Sequence, residues 1–289
     1  MDRLLNASSL YLNHSYTNQT LGPSHTEEEC PSPALGVLFL VAIEIVTAVI
    51  GFFANLGVLW VLAHGQLESS TSDVFTGSLA ALDGVYCLSL LLDVANTLSL
   101  DDDDVSRALL FLFGLSEIGG PLFLSCVCLD RYMAVSHPVA FMRLRDGRYR
   151  TLCTALVLTA TLGYSLFTSA ANFEHNDCIF IALFMAAFLI IIFCNLALLR
   201  ALKQTGPSSQ EVHPVKRRAF SAVLRIFILI IIAFLPAAVV FPYEHLLPEE
   251  TFECYVYPVC YAFIASRAAL QPLLFLSRLV KVPCLNPAS

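Results

Sequence analysis

The sequence predicts an all-α membrane protein, a seven-transmembrane helix bundle with its N-terminus extracellular. Composition is the first reason: 57% of the 289 residues are hydrophobic and only 13% charged, with a mean hydropathy of +0.72. A water-soluble domain keeps about a quarter of its residues charged, so lipid has to be the solvent for much of this surface. The second reason is that seven stretches reach the roughly 20 mainly apolar residues a spanning helix needs. The third is that runs such as FLIIIFCNLALL and LRIFILIIIAFLP show none of the period-two alternation of a membrane barrel.

The spans lie at about 34–63, 74–99, 106–136, 152–171, 178–202, 219–242 and 255–277. They leave an N-terminal segment over 1–33, a seven-span body over 34–280 and a tail over 281–289. The first span, ALGVLFLVAIEIVTAVIGFFANLGVLWVLA, holds a single charge, Glu44. The second carries Asp83 and Asp93. The third contains Glu117 and runs out into CLDRYMAVSHP, where Asp130 and Arg131 meet the membrane edge. The fourth and fifth are uncharged until Arg200, the sixth has Arg225 just inside it and contains Pro236, and the seventh contains Arg267 and Pro272.

Orientation follows from Lys and Arg in the short loops. Arg143, Arg145, Arg148 and Arg150 lie between the third and fourth spans. Lys203, Lys216, Arg217 and Arg218 lie between the fifth and sixth, and Arg278 and Lys281 follow the seventh. The opposite side holds only Arg3 and Arg107, but is rich in Asp and Glu, with four aspartates in a row at 101–104. The N-terminus is therefore outside. Three glycosylation sequons, at Asn6, Asn13 and Asn18, all fall in that outer segment. MDRLLNASSLYLNHSY has no apolar signal region, so the first span is expected to act as signal anchor. The net charge of -7 excludes an ordinary nucleic-acid partner, which needs a basic face.

With seven spans in this orientation, the chain resembles a rhodopsin-like G-protein-coupled receptor over about residues 34 to 280. Asp130-Arg131-Tyr132 at the inner end of the third span carries the resemblance most strongly. GFFANLGVLWV with Asn55, LAALD with Asp83, FLP with Pro236 and LQPLLF around Pro272 follow in order. LDRYMAVSHPVAFMRLR is most similar to the purinoceptor and hydroxycarboxylic-acid branch. The resemblance implies a plasma-membrane receptor without cofactor, which transduces an extracellular ligand signal to a heterotrimeric G protein. Asp130, Arg131 and Tyr132 would be its coupling switch. An arginine there is two-state, folded against the bundle while paired to Asp130 or released toward a partner.

The departures are informative. Ser106 stands where the family has the third-helix cysteine of its conserved bridge. The outer cysteines are Cys30, Cys178 and Cys254, an odd number that allows three single pairings. In the purinoceptor-like branch a bridge ties the N-terminal segment to the third outer loop, which implies Cys30–Cys254. Asn195 and Phe275 replace switch tyrosines, and Gln271 replaces the Asn or Asp before Pro272. A receptor fold that is silent or constitutively active is thus the alternative reading.

Ionisable groups at membrane depth are functional candidates by default. Asp83, Glu117 and Arg267 are expected to form an intramembrane ion cluster, with Arg267 neutralising Asp83 or Glu117 and displacing the sodium ion that the family holds at Asp83. Glu44, Asp93, Phe113, Glu117, Phe234, Phe241, Tyr257 and Tyr261 are the expected ligand pocket. Phe113 sits where amine receptors carry an aspartate, so an ordinary biogenic-amine site is not supported. The outer ends AAVVFPYEH and CYVYPVCYAF lack Lys and Arg, so an anionic ligand is disfavoured. No metal site is expected. A polytopic enzyme is the remote rival, but HExxH, GxSxG and Cys-His patterns do not occur in the spans. A transporter would show internal repeats with broken half-helices. After the seventh span SRLVKVPCLNPAS offers few phosphate acceptors, so weak arrestin recruitment is expected; membrane lipids are the remaining partner.

Overall fold

A computed structural model of the chain describes residues 35–64, 73–100, 102–144, 147–170, 176–203, 212–240, 243, 246–248 and 251–280. The helices are α1 (Leu35–Ala63), α2 (Asp73–Ala95), α3 (Asp103–Ser136), the short α4 (Pro138–Leu144), α5 (Gly147–Ala170), α6 (Asn176–Lys203), α7 (Val212–Val240) and α8 (Tyr257–Val280). Seven of them are long and apolar enough to cross a membrane, and no strand occurs among the described residues. The sequons, Cys30 and Phe241 lie outside the described residues, as does the tail.

Within lipid only helices and closed barrels satisfy every backbone group, and for apolar runs without period-two alternation that leaves helices. Many large apolar side chains on the spans, such as Phe53, Leu156 and Leu189, point outward and are exposed in the isolated bundle, as a lipid-facing surface requires. Interior faces instead carry small and polar groups that let helices approach. Gly36 shows this closely: a Cβ there would run into the carbonyl oxygen of Cys254, so only glycine lets α1 pass the lead into α8.

The third span starts earlier than hydropathy alone suggests, because Asp102 caps α3. Its carboxylate accepts from the backbone N–H of Asp104 at 2.8 Å and of Val105 at 3.3 Å, satisfying donors that a helix start leaves open. Asp104 pairs with Arg107 one turn on. The acidic run is therefore partly a helix start and not merely a solvated loop. α2 ends in a π-helical turn, Asn96–Leu100. From it Asn96 donates to the Ser106 hydroxyl at 2.9 Å, and Ser106 donates in turn to the Asp102 carbonyl at 3.1 Å. Where the resemblance implies a cysteine, this chain has a hydroxyl that joins α2 to α3.

Two apolar clusters fill the bundle. One gathers Ala48, Tyr86, Leu90, Phe113, Tyr257 and Tyr261 from α1, α2, α3 and α8. The other gathers Phe123, Ile191, Leu198, Val223, Ile230 and Phe234, mainly from α3, α6 and α7. α3, at 34 residues or about 50 Å of helix rise, runs through both.

Candidate functional site

Between the two clusters on α3 sit Ser116 and Gly120, and there the buried charges converge. Arg267 of α8 is 2% exposed and Asp83 of α2 is fully buried. The guanidinium grips the carboxylate with both end nitrogens, Nη1 to Oδ2 at 3.2 Å and Nη2 to Oδ1 at 3.0 Å. Nη2 also donates to the Ser116 hydroxyl at 2.8 Å and to its carbonyl at 3.3 Å, while the hydroxyl donates to Asp83 at 3.2 Å. Nη1 reaches Gln271 Oε1 at 3.3 Å. A two-pronged arginine–carboxylate pair with further hydrogen bonds is the arrangement in which a buried ion pair is tolerated.

Gly120 is the reason the guanidinium fits. A Cβ there would stand 2.6 Å from Arg267 Cζ and Nη1 and 2.8 Å from Nη2, so any other residue would occupy the guanidinium's place. Nearby, Asn55 of α1 donates to the Gly51 carbonyl at 2.9 Å and across to the Ala268 carbonyl at 3.0 Å. Four helices are joined by polar contacts at this level.

Glu117 lies close enough to feel the Arg267 charge but makes no ion pair with it among the described residues. The Arg267 ion pair is with Asp83 alone among the described residues, and Arg267 Nε is left without a hydrogen bond.

Nearer the start of α1, a cavity of about 430 Å³ including its open mouth lies between α1, α2 and α8. Glu44, Asp93, Thr97, Tyr257 and Tyr261 supply its polar lining, and its described lining holds no Lys or Arg. Glu44 and Asp93 are 2% and 4% exposed. Tyr257 and Tyr261 stack with centroids 5.9 Å apart, and Phe113 packs on Tyr261 and Tyr86 at 6.1 and 5.5 Å. Of the pocket residues expected from sequence, Phe234 is elsewhere: it packs on Phe184 at 4.8 Å in the α3–α6–α7 cluster. Cys254, fully buried beside this cavity's α8 wall, is disulfide-bonded; the expected partner Cys30 lies outside the described residues.

At the other end of α3, Asp130 is held by Arg150 of α5. Nε and Nη2 of Arg150 donate to Oδ1 at 3.3 and 3.2 Å, and both side chains are less than a tenth exposed. The guanidinium also lies over the Phe141 ring at 5.5 Å. Tyr132 packs edge-on against Phe193 of α6 and shares a 3.1 Å hydrogen bond with His137 Nε2. The foot of α3 is thus tied to α5 and α6 by Asp130 and Tyr132.

The family described as 7 transmembrane receptor (rhodopsin family) matches residues 54–178, from the middle of α1 into the start of α6. The chain resembles this family over that stretch, which is less than half of its length. It is 24% identical over 233 residues to hydroxycarboxylic acid receptor 2 of Homo sapiens, covering 72% of this chain and 60% of that receptor. Purinoceptor 6 of Rattus norvegicus is 25% identical over 228 residues, covering 69% and 70%. Proteinase-activated receptor 3 of Homo sapiens is 26% identical over 200 residues, covering 58% and 53%. The chain spans about 60% of the length of the hydroxycarboxylic acid receptors it matches. These relatives are receptors by name, and the reading as a polytopic enzyme is set aside on that ground.

Three contributors to these sites had no reading as site residues from sequence. Ser116 and Gly120 lie beside Glu117 but carry no charge to attract notice. Arg150 counted only as an inner-loop cation, because hydropathy starts the fourth span at 152; the helix in fact begins at Gly147 and brings Arg150 inside. Among the described residues no group of three or more His, Cys, Asp or Glu is placed to hold a metal ion.

Proposed function

We propose that this multi-pass protein is a plasma-membrane G-protein-coupled receptor, which passes an extracellular ligand signal to a heterotrimeric G protein through the inner end of α3. What supports this most is Asp130-Arg131-Tyr132 at the foot of a buried α3 in a chain that resembles the rhodopsin family. Two features suit that foot to a switch. Asp130 is neutralised by Arg150 from a neighbouring helix, and Tyr132 is packed on α6, so the contacts can be exchanged for contacts to a partner. The acidic cavity without a base is the ligand's entry point in this reading, and it disfavours an anion.

A second reading, a receptor fold that is silent, is favoured by Arg267. Its guanidinium fills the space between α2, α3 and α8 and pins them together through Asp83, Ser116 and Gln271. One experiment separates the readings: ligand-free G-protein activation in cells, for wild type and Arg131→Ala at equal surface expression. Wild type above the empty-vector level, with Arg131→Ala at that level, is the expected outcome. Wild type and variant both at background would favour the silent reading, and equal activation by both would remove Arg131 from the coupling role.

A further inference from the structure

We infer that the cavity between α1, α2 and α8 is a binding site for a small organic ammonium ion with a short apolar tail, with Glu44 and Asp93 as its counter-charges. This deepens the receptor reading, and rests on it only for what binding would mean, not for whether binding occurs.

Two carboxyl groups line one cavity, and each is more than nine-tenths buried. Buried carboxylates are tolerated when paired with a cation or fully hydrogen-bonded. Arg267 directs its end nitrogens to Asp83, Ser116 and Gln271, and Arg107 pairs with Asp104. The cavity's described lining offers no other base. One observation independent of charge points the same way. Glu44 Oε1 is buried and has no hydrogen-bond partner among the described residues, and Glu44 lines this cavity. The two carboxyls are close enough to hydrogen-bond each other, yet Glu44 Oε1 is left an unmet acceptor, and the donor that also supplies the missing charge is an ammonium N–H.

The rest of the lining selects among cations. Calcium takes six to eight oxygens and magnesium near-ideal octahedral coordination. Here the oxygens come from two carboxyls, two tyrosines and Thr97, and the opposite wall is Val37, Leu40 and Val41. Aliphatic walls are wasted on an inorganic ion but suit the tail of an amine. The stacked rings of Tyr257 and Tyr261 add faces that attract an organic cation. The site is also distinct from the helix-3 position of amine receptors, which Phe113 fills here. Gly36 and the Cys254 carbonyl, packed against each other at the start of α1, hold that wall close to α8.

The test uses the purified full-length chain in detergent without G protein, so its result is independent of whether the receptor couples. Thermal unfolding is followed against increasing n-butylammonium chloride, with butan-1-ol as the uncharged counterpart and sodium chloride for ionic strength. A saturable rise in Tm with butylammonium, absent with butanol and sodium, is expected. Glu44→Gln and Asp93→Asn, which keep side-chain volume, should each weaken the apparent affinity at least tenfold; their ligand-free Tm reports whether they fold. The site would be lost as an inference if butylammonium gave no saturable rise, if butanol or sodium matched it, or if both folded variants kept wild-type affinity.

Discussion

Arg267 has carboxylate, hydroxyl, carbonyl and amide partners within 3.3 Å while almost wholly buried. Removing one side of such a pair leaves the other charge without a partner, a loss of about 3–5 kcal/mol. Arg267→Met should therefore lower Tm strongly and reduce surface expression. Replacing both partners, Arg267→Met with Asp83→Leu, should recover most of it, because apolar pairs of similar volume often match a buried ion pair. A wild-type Tm for Arg267→Met alone would refute this account. Gly120 gives a linked test at the same scale. Gly120→Ala puts a methyl where the guanidinium lies and should destabilise by about 1–3 kcal/mol. Most of that penalty should vanish in an Arg267→Met background, where the shorter, uncharged chain is free to move aside; equal penalties in both backgrounds would show that the two residues do not couple.

Between elements, the foot of α3 depends on α5. Asp130 and Arg150 are each less than a tenth exposed and meet through two nitrogens on one oxygen. Arg150→Ala should lower Tm by an amount similar to other broken buried pairs, about 3–5 kcal/mol. Arg150→Lys should recover only part, since a point charge loses the second hydrogen bond and the flat contact on Phe141; full recovery by lysine in a thermal scan would contradict this. The element scale is also where sequence and structure agree best. Spans are legible because length and hydropathy are one-dimensional properties, and the helices found match those seven stretches. Arg267 and Asp83 were legible as partners because a buried base has few acids to choose from. Arg150–Asp130 was not, because it depends on a helix starting five residues before its apolar stretch. The direct contacts of Glu117 and Phe234 were not legible for a related reason: α3 and α7 each present several faces, and hydropathy without an amphipathic pattern does not say which neighbour a face meets.

Across the whole bundle the polar contacts are unevenly shared. α1, α2, α3 and α8 are joined by Asn55 to the Ala268 carbonyl and by Arg267 to Asp83 and Ser116. Among the described residues α6 and α7 meet through ring contacts instead, Phe184 tilted on Phe234 at 4.8 Å and Phe188 stacked on Phe227 at 6.0 Å. Dispersion contacts are individually weak and non-directional, whereas buried hydrogen bonds fix one geometry. The α6–α7 side should then sample more positions than the α1–α2–α8 side. Pulsed electron-spin distance measurements can read this from paired spin labels in a background lacking the exposed Cys153. Lipid-facing Leu56 on α1 with Leu273 on α8 reports the hydrogen-bonded side, and Leu129 on α3 with Ile228 on α7 reports the other. The first pair should give a narrow distance distribution and the second a broad or double one. Arg267→Met should widen the first pair toward the second, since α8 then loses its grip on α2 and α3. Equal widths in the wild type, or a first pair unchanged by Arg267→Met, would mean that apolar packing alone holds all seven spans.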